Sequence, residues 1–217
     1  QSSSVTTVLT VGFISAGILS LSQAVGIILG AHVGTTITAQ IVAFKVTKFA
    51  LLMIAVGFAM LFVSNREKVK QYGGMIMGLG LVFFGMSVMG DAMKPLRSYE
   101  PFLDMMAHME NPLLGILVAA AFTGLIQSSS ATTGVVITMA SQGLISLPAG
   151  IALVLGANIG TCVTAILASI GKPREAMRAG LVHITSNVLG VIIWVGLIQQ
   201  LGDLVIWISP QAAELAG

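Results

Sequence analysis

Residues 1–40 read QSSSVTTVLTVGFISAGILSLSQAVGIILGAHVGTTITAQ, and residues 127–166 read QSSSATTGVVITMASQGLISLPAGIALVLGANIGTCVTAI. The two stretches align without a gap at a constant offset of 126, with 17 identities in 40 positions. Scattered Gly, Ser and Leu matches follow from shared low complexity. Low complexity does not also align QSSSxTT at one end with LGAxxGTxxTA at the other, so the chain is internally duplicated. Each copy holds QSSS and a Thr pair, an apolar stretch, then a second apolar stretch interrupted by Gly and small polar residues.

The medium follows from composition. Of 217 residues, 56% are hydrophobic and 8% charged, and the mean hydropathy is +0.99. Soluble domains carry about 25% charged residues, and crossing about 30 Å of hydrocarbon takes about 20 apolar residues as a helix. Several runs here approach that length. The 25 glycines and many Ser and Thr residues suit helices that pack closely in a membrane. A net charge of +2 implies no nucleic-acid partner, and membrane lipid is the expected surrounding. Cys162, the single cysteine, precludes an intrachain disulfide or a Cys-based metal cluster. Its apolar setting suggests a small buried residue.

Worked outward from the repeats, the pattern predicts an all-α, polytopic membrane transporter with two inverted repeats, re-entrant helix hairpins and broken transmembrane helices. Leu113–Ile126 and Ala131–Ile145 flank Gln127–Ser130 as the arms and tip of a hairpin. Runs of 10–14 apolar residues are short for a full crossing. The first copy shows only the second arm, Val5–Ile18, and a first arm is expected upstream. Gln23–Ala43 carries the break GAHVGTT, followed by crossings at Val46–Val63 and Gly74–Gly90. Ala149–Ile170 carries the second break, GANIGTC, and Leu181–Gly202 is the last long span. The units are 1–90, a polar connector at 91–112, and 113–217. Gly74 and Gly78 are spaced for close helix contact and mark the first candidate for a homodimer interface.

Three crossings and one hairpin per unit predict that the second unit is inverted relative to the first. Arg66, Lys68, Lys70, Lys172, Arg174 and Arg178 then share one side. Lys45, Lys48, Lys94 and Arg97 share the other, beside Asp91, Glu100, Asp104 and Glu110. The bias makes the first side cytoplasmic.

Backbone that leaves helical geometry in hydrocarbon needs partners. Gly30, Gly34, Gly156 and Gly160 permit such geometry, and Thr35, Thr36, Thr38, Thr161 and Thr164 add hydroxyls. Carbonyls plus hydroxyls suit a hard cation. With no carboxylate in either break, sodium is the natural candidate. The QSSS turns suit an oxyanion, because Ser hydroxyls and the Gln amide donate hydrogen bonds and helix N-termini favour negative charge. His32 stands where the second copy has Asn158, and a structural hydrogen bond is its expected role. His183 and Asn187 lie one turn apart and are expected to support the second break.

No HExxH, Walker loop, paired CxxC or dinucleotide fingerprint is present. A Ser–His hydrolase lacks its G-x-S-x-G motif and acid partner, so no enzyme activity or organic cofactor is expected. Three alternatives stay open: a carrier of another oxyanion or small carboxylate, a passive anion channel, and a structural membrane scaffold.

With QSSSVTT at Gln1–Thr7, QSSSATT at Gln127–Thr133, GAHVGTT at Gly30–Thr36 and GANIGTC at Gly156–Cys162, the chain resembles the type II sodium/phosphate cotransporter family, which has many bacterial members. The resemblance implies sodium-coupled symport of inorganic phosphate across a bacterial cell inner (plasma) membrane by a multi-pass protein with inverted repeats. It implicates Gln1, Ser2, Ser3, Ser4, Gln127, Ser128, Ser129 and Ser130 in substrate binding. Thr6, Thr7, Thr132 and Thr133 would line or support the same site. His32, Thr35, Thr36, Asn158, Thr161 and Thr164 would bind sodium or support its site, the ligands being hydroxyls and backbone carbonyls. His32 departs from the Asn usual in GANxGT, and Cys162 from a common hydroxyl residue.

Overall fold

Ser2 accepts a hydrogen bond from the Val5 amide at 3.3 Å and starts α1 (Ser3–Ser15); Ser128 does the same for the Ala131 amide at 3.2 Å and starts α7 (Ser129–Ser141). A capping hydroxyl satisfies one of the amides that a helix start leaves free. In both copies the chain thus becomes helical inside the QSSS motif, with two serines in the first turn. Both helices end before a glycine in the left-handed region, Gly17 at φ 73° and Gly143 at φ 68°, a conformation that glycine adopts without steric cost.

The computed structural model describes residues 2–43 and 46–209. Among them the chain is all α. After α1 come α2 (Leu21–Ala43), a 3-10 turn (Val46–Phe49), α3 (Ala50–Val63) and α4 (Glu67–Met93). A second 3-10 turn (Lys94–Ser98) leads to α5 (Glu100–His108), α6 (Pro112–Ile126), α7, α8 (Leu147–Gly160), α9 (Cys162–Ser169), α10 (Arg174–Val195) and α11 (Ile198–Ile208). Among the described residues four helical segments are long and apolar enough to cross a membrane: Leu21–Ile41, Glu67–Leu96, Leu147–Ser169 and Arg174–Val195. The pair α5 and α6, bent by 104° at its break, makes a fifth when taken as one span. Phe62, Val63, Leu125 and Trp207 each lie about four-fifths exposed, as side chains that face lipid do.

The second hairpin forms. A continuous helix would separate Thr123 and Thr132 by about 13 Å along its axis. Their hydroxyls instead lie 2.6 Å apart, so the chain doubles back at Gln127–Ser128. Ala119 of α6 and Val136 of α7 share one core with Ala149 and Leu153 of α8. The arms run from Pro112 and to Ser141, and the second is shorter than its expected end at Ile145.

The breaks differ from expectation. GAHVGTT is not unwound, for α2 is helical throughout. The Thr35 hydroxyl donates to the Ala31 carbonyl at 2.9 Å and that of Thr36 to the Val33 carbonyl at 2.6 Å, so the hydroxyls are served within the helix. A helical glycine costs about 1 kcal/mol, whereas an unpaired peptide group in an apolar medium costs roughly 2–7 kcal/mol. Continuing the helix wins. GANIGTC is broken only at Thr161, which keeps right-handed geometry, so α8 and α9 run as one apolar span. The last span also shifts: α10 begins at Arg174 rather than Leu181, and the chain breaks again before α11.

Close helix contact on α4 is made by Gly73 and Gly80, not by Gly74 and Gly78. A Cβ on Gly80 would sit 2.9 Å from the Ala50 carbonyl oxygen and the Ile54 amide nitrogen of α3, and one on Gly73 would sit 2.8 Å from the Met60 Cβ. Gly74 and Gly78 face open space. Gly80→Ala is therefore expected to weaken the α3–α4 pair by about 1–3 kcal/mol, the cost of overpacking. Gly74→Ala should be neutral or stabilising by up to about 1 kcal/mol through helix propensity. Denaturant titration in detergent of the two variants side by side checks the ordering.

Candidate functional site

At the hairpin tip, Gln127 takes φ 59° and ψ 27°, the only non-glycine residue with positive φ among the described residues. That region disfavours a side chain with a Cβ. The Gln127 amide holds it there. Its Nε2 donates to the Gly124 carbonyl, its Oε1 accepts from the Thr164 hydroxyl of α9, and its backbone amide donates to the Thr123 carbonyl at 2.8 Å. The tip is thus tied to the span that carries the second GAxxGT motif.

A second polar cluster centres on His183 of α10, whose side chain is fully buried. Its Nδ1 lies 2.8 Å from Nε2 of His32 on α2 and 3.3 Å from the Thr7 hydroxyl on α1. Its Nε2 lies 3.2 Å from the Thr161 hydroxyl and 3.2 Å from Nδ2 of Asn187. Asn187 Nδ2 also donates to the Thr161 hydroxyl at 3.2 Å, and that hydroxyl donates to the Asn158 carbonyl at 2.6 Å. If Asn187 Nδ2 donates to His183 Nε2, the ring proton is left on Nδ1, which faces His32 Nε2 and the Thr7 hydroxyl. Helices α1 and α2 of the first copy and the α8–α9 junction of the second therefore meet on one ring of α10. The His32 and His183 rings pack edge to face, with centroids 4.8 Å apart.

The expected site residues fall mainly around His183 and in the two serine turns. Thr7, His32 and Thr161 meet at His183, and Thr164, one turn beyond Thr161, holds Gln127. Ser3, Ser4 and Ser129 are buried in the first turns of their helices, Ser130 is half-buried beside them, and Ser2 and Ser128 are the caps. Thr6 donates to the Ser2 carbonyl at 3.0 Å, and Thr132 to the Ser128 carbonyl at 3.2 Å. Thr133 is half-buried on α7, and the Asn158 side chain is exposed. Thr35 and Thr36 bond back along α2 and join neither group. Gln1 lies outside the described residues. Among those described, no hydrogen bond joins the two serine turns directly; they connect through α9 and α10.

His183 and Asn187 do bracket Thr161, as their spacing suggested. The tie from His183 to Thr7 and His32 had no sequence signal, because it links positions 176 and 151 residues away. Thr123 was also missed. Its signal was a hydroxyl in an otherwise apolar arm, four residues ahead of QSSS. Among the described residues no group of three His, Cys, Asp or Glu side chains is placed to hold a metal ion, so a cation here would meet hydroxyls, amide oxygens and carbonyls.

A family profile described as Na+/Pi-cotransporter matches residues 1–91 and 98–209. "Uncharacterized protein YqeW" of Bacillus subtilis is 32% identical over 215 residues, covering 99% of this chain and 70% of the relative. "Putative inorganic phosphate export protein YjbB" of Salmonella typhimurium is 28% identical over 216 residues, which are 99% of this chain and 40% of that protein. "Sodium-dependent phosphate transport protein 2C" of Rattus norvegicus is 39% identical over 85 residues, covering 37% of this chain and 14% of that protein. No solved structure matches the chain.

Proposed function

We propose, from the premise that this chain belongs to the Na+/Pi-cotransporter family, that it carries inorganic phosphate together with sodium into the cell. It is a multi-pass protein of the bacterial inner (plasma) membrane, and its family transports ions rather than catalysing a reaction. The observation that carries the reading is a family match spanning both QSSS units.

In this reading phosphate binds at the serine-capped starts of α1 and α7. Ser2, Ser3, Ser4, Ser128, Ser129 and Ser130 supply hydroxyls, free first-turn amides supply further donors, and Gln1 and Gln127 flank them. Sodium binds among the hydroxyl and carbonyl oxygens near Thr161, Thr164 and Gln127, and offsets the anion's charge. Residues 1–90 and 113–217 act as inverted halves joined by 91–112, and their relative motion exposes the site to each side in turn. A homodimer through the outward Gly74 and Gly78 face of α4 belongs to the same proposal.

Export is the second reading, favoured by the name of the Salmonella relative, an inorganic phosphate export protein. One assay separates the two. Full-length protein is reconstituted in sealed proteoliposomes of known orientation, and radiolabelled phosphate movement is followed under sodium gradients of either sign, with potassium as control. Saturable, sodium-driven accumulation towards the cytoplasmic face is expected. Ser128→Ala or Ser129→Ala should lower it by roughly 10- to 100-fold, the range for losing a hydrogen bond to a charged group. Sodium-independent, non-saturable flux would mean a channel, and net movement only outward would mean an exporter.

A further inference from the structure

We propose that a phospholipid with an ethanolamine headgroup binds where α4 meets α7, its headgroup against Asp91 and Lys94 and an acyl chain between α7 and α8. The site lies about 18 Å along α7 from the serine turn and stands whichever ion is transported.

Two hollows meet on α7. The first is polar: Ser87, Asp91 and Lys94 of α4 face Thr138, Ser141 and Gln142 at the end of α7. Gly90 allows that approach, since a Cβ there would sit 2.9 Å from Nε2 of Gln142. The second is apolar. Ile137 and Ala140 of α7, Leu147, Ile151 and Leu155 of α8, and Leu201 of α11 line it, and all six are half-buried. Ile137 and Ser141 border both hollows, so the two adjoin. The polar one, at about 260 Å³, is smaller than the roughly 300 Å³ at which ligand clefts begin. A guest that also takes the apolar one gains about 420 Å³.

Depth fits a lipid. Helix α4 has no charged residue between Lys70 and Asp91, a rise of about 31 Å, and the hydrocarbon is about 30 Å thick. Asp91 and Lys94 thus stand at headgroup level. The apolar hollow starts at Leu147, where an apolar span of the chain begins. It follows α8 to Leu155, about 12 Å further in.

Charge selects the headgroup. Asp91 and Lys94 lie 2.7 Å apart with exposed side chains, so a zwitterion laid against them meets an opposite charge at each end. An anionic headgroup would face the Asp91 carboxylate. The Thr138 hydroxyl donates to the Gly134 carbonyl and the Ser141 hydroxyl to the Thr138 carbonyl, both at 2.9 Å. What these hydroxyls still offer a guest is lone pairs. Lone pairs beside a carboxylate suit the N–H groups of a primary ammonium, which choline lacks, and Lys94 suits the phosphodiester next to it. An acyl chain joined to that headgroup then covers apolar surface that a soluble zwitterion would leave bare.

The test is native mass spectrometry of the full-length protein in detergent. It is titrated with palmitoyl-oleoyl phosphatidylethanolamine and with the choline and glycerol lipids of the same chains. The ethanolamine lipid should bind roughly tenfold more tightly than either, as expected for hydrogen bonds to a charged group. Asp91 is exposed, so Asp91→Asn should fold normally and lower the ethanolamine lipid to the level of the choline lipid. Glu67→Gln, which removes the same charge at the other end of α4, should change nothing. Lys94→Gln should weaken the ethanolamine and choline lipids alike, because both carry the phosphate. Glycerophosphoethanolamine, the headgroup without chains, should compete at least about tenfold more weakly than the lipid. Equal binding of the three lipids, or a preference that survives Asp91→Asn, would overturn the proposal. So would a chainless headgroup that competes as well as the lipid, since the guest would then be a soluble zwitterion.

Discussion

His183→Ala is expected to destabilise the protein by about 3–5 kcal/mol, through a cavity in the core combined with polar groups left unpaired. The ring is fully buried and joins α1, α2 and the α8–α9 junction to α10 through side chains. Without it, His32 Nε2, the Thr7 hydroxyl and Asn187 Nδ2 each lose a partner. The Asn187 to Thr161 bond survives, which is why the loss is not larger. His183→Gln retains an amide of similar reach and should recover part of the stability. His32→Ala should cost less, because His32 is half-buried. Urea titration of the three variants in detergent, followed by far-ultraviolet circular dichroism, ranks them. A midpoint for His183→Ala equal to that of the parent would mean that the cluster is a passenger rather than a joint.

Gly156→Ala is the second large effect. The added Cβ would collide with the Ile116 carbonyl, and a backbone atom cannot rotate away. Helix α6 must retreat from α8, which loosens Gly160 against Thr123 and Gly124 along the same seam. Overpacking typically costs 1–3 kcal/mol, occasionally more, and a clash with backbone belongs at about 3 kcal/mol or above. The tip at Gln127 hangs from α6, so transport should fall together with stability. Gly134→Ala on α7, where an added Cβ meets nothing within 4 Å, is the matched control and should leave both near the parent values. If the two variants melt alike in detergent, the tight α6–α8 seam is not what holds the hairpin.

The duplication made much of the fold readable. QSSS marked both helix starts, since serine is a preferred capping residue, and the apolar runs around Gln127 marked a hairpin. The family was legible for the same reason. The breaks were misjudged at GAHVGTT, because glycine and threonine signal unwinding only where a partner draws the backbone out. Here the Thr35 and Thr36 hydroxyls turn back into α2 instead. Local spacing also could not tell Gly73 and Gly80 from Gly74 and Gly78. Which glycine meets a neighbour depends on the rotation of α4 about its axis, and that is set by the shape of α3. The convergence of Thr7, His32 and Thr161 on His183 is a tertiary property, encoded only in the way helices from the two copies stack.

The 104° bend between α5 and α6 acts as a depth gauge. Were α5 to lie along a membrane surface, that bend would send the 15 residues of α6 inward from it. It reaches at most about 22 Å inward, against a hydrocarbon thickness of about 30 Å. The Gln127 turn then hangs about 8 Å short of the far boundary. In that placement only about a quarter of the hydrocarbon thickness would separate the turn from the far side, so most of the drop of a transmembrane voltage would lie between the turn and the surface that carries α5.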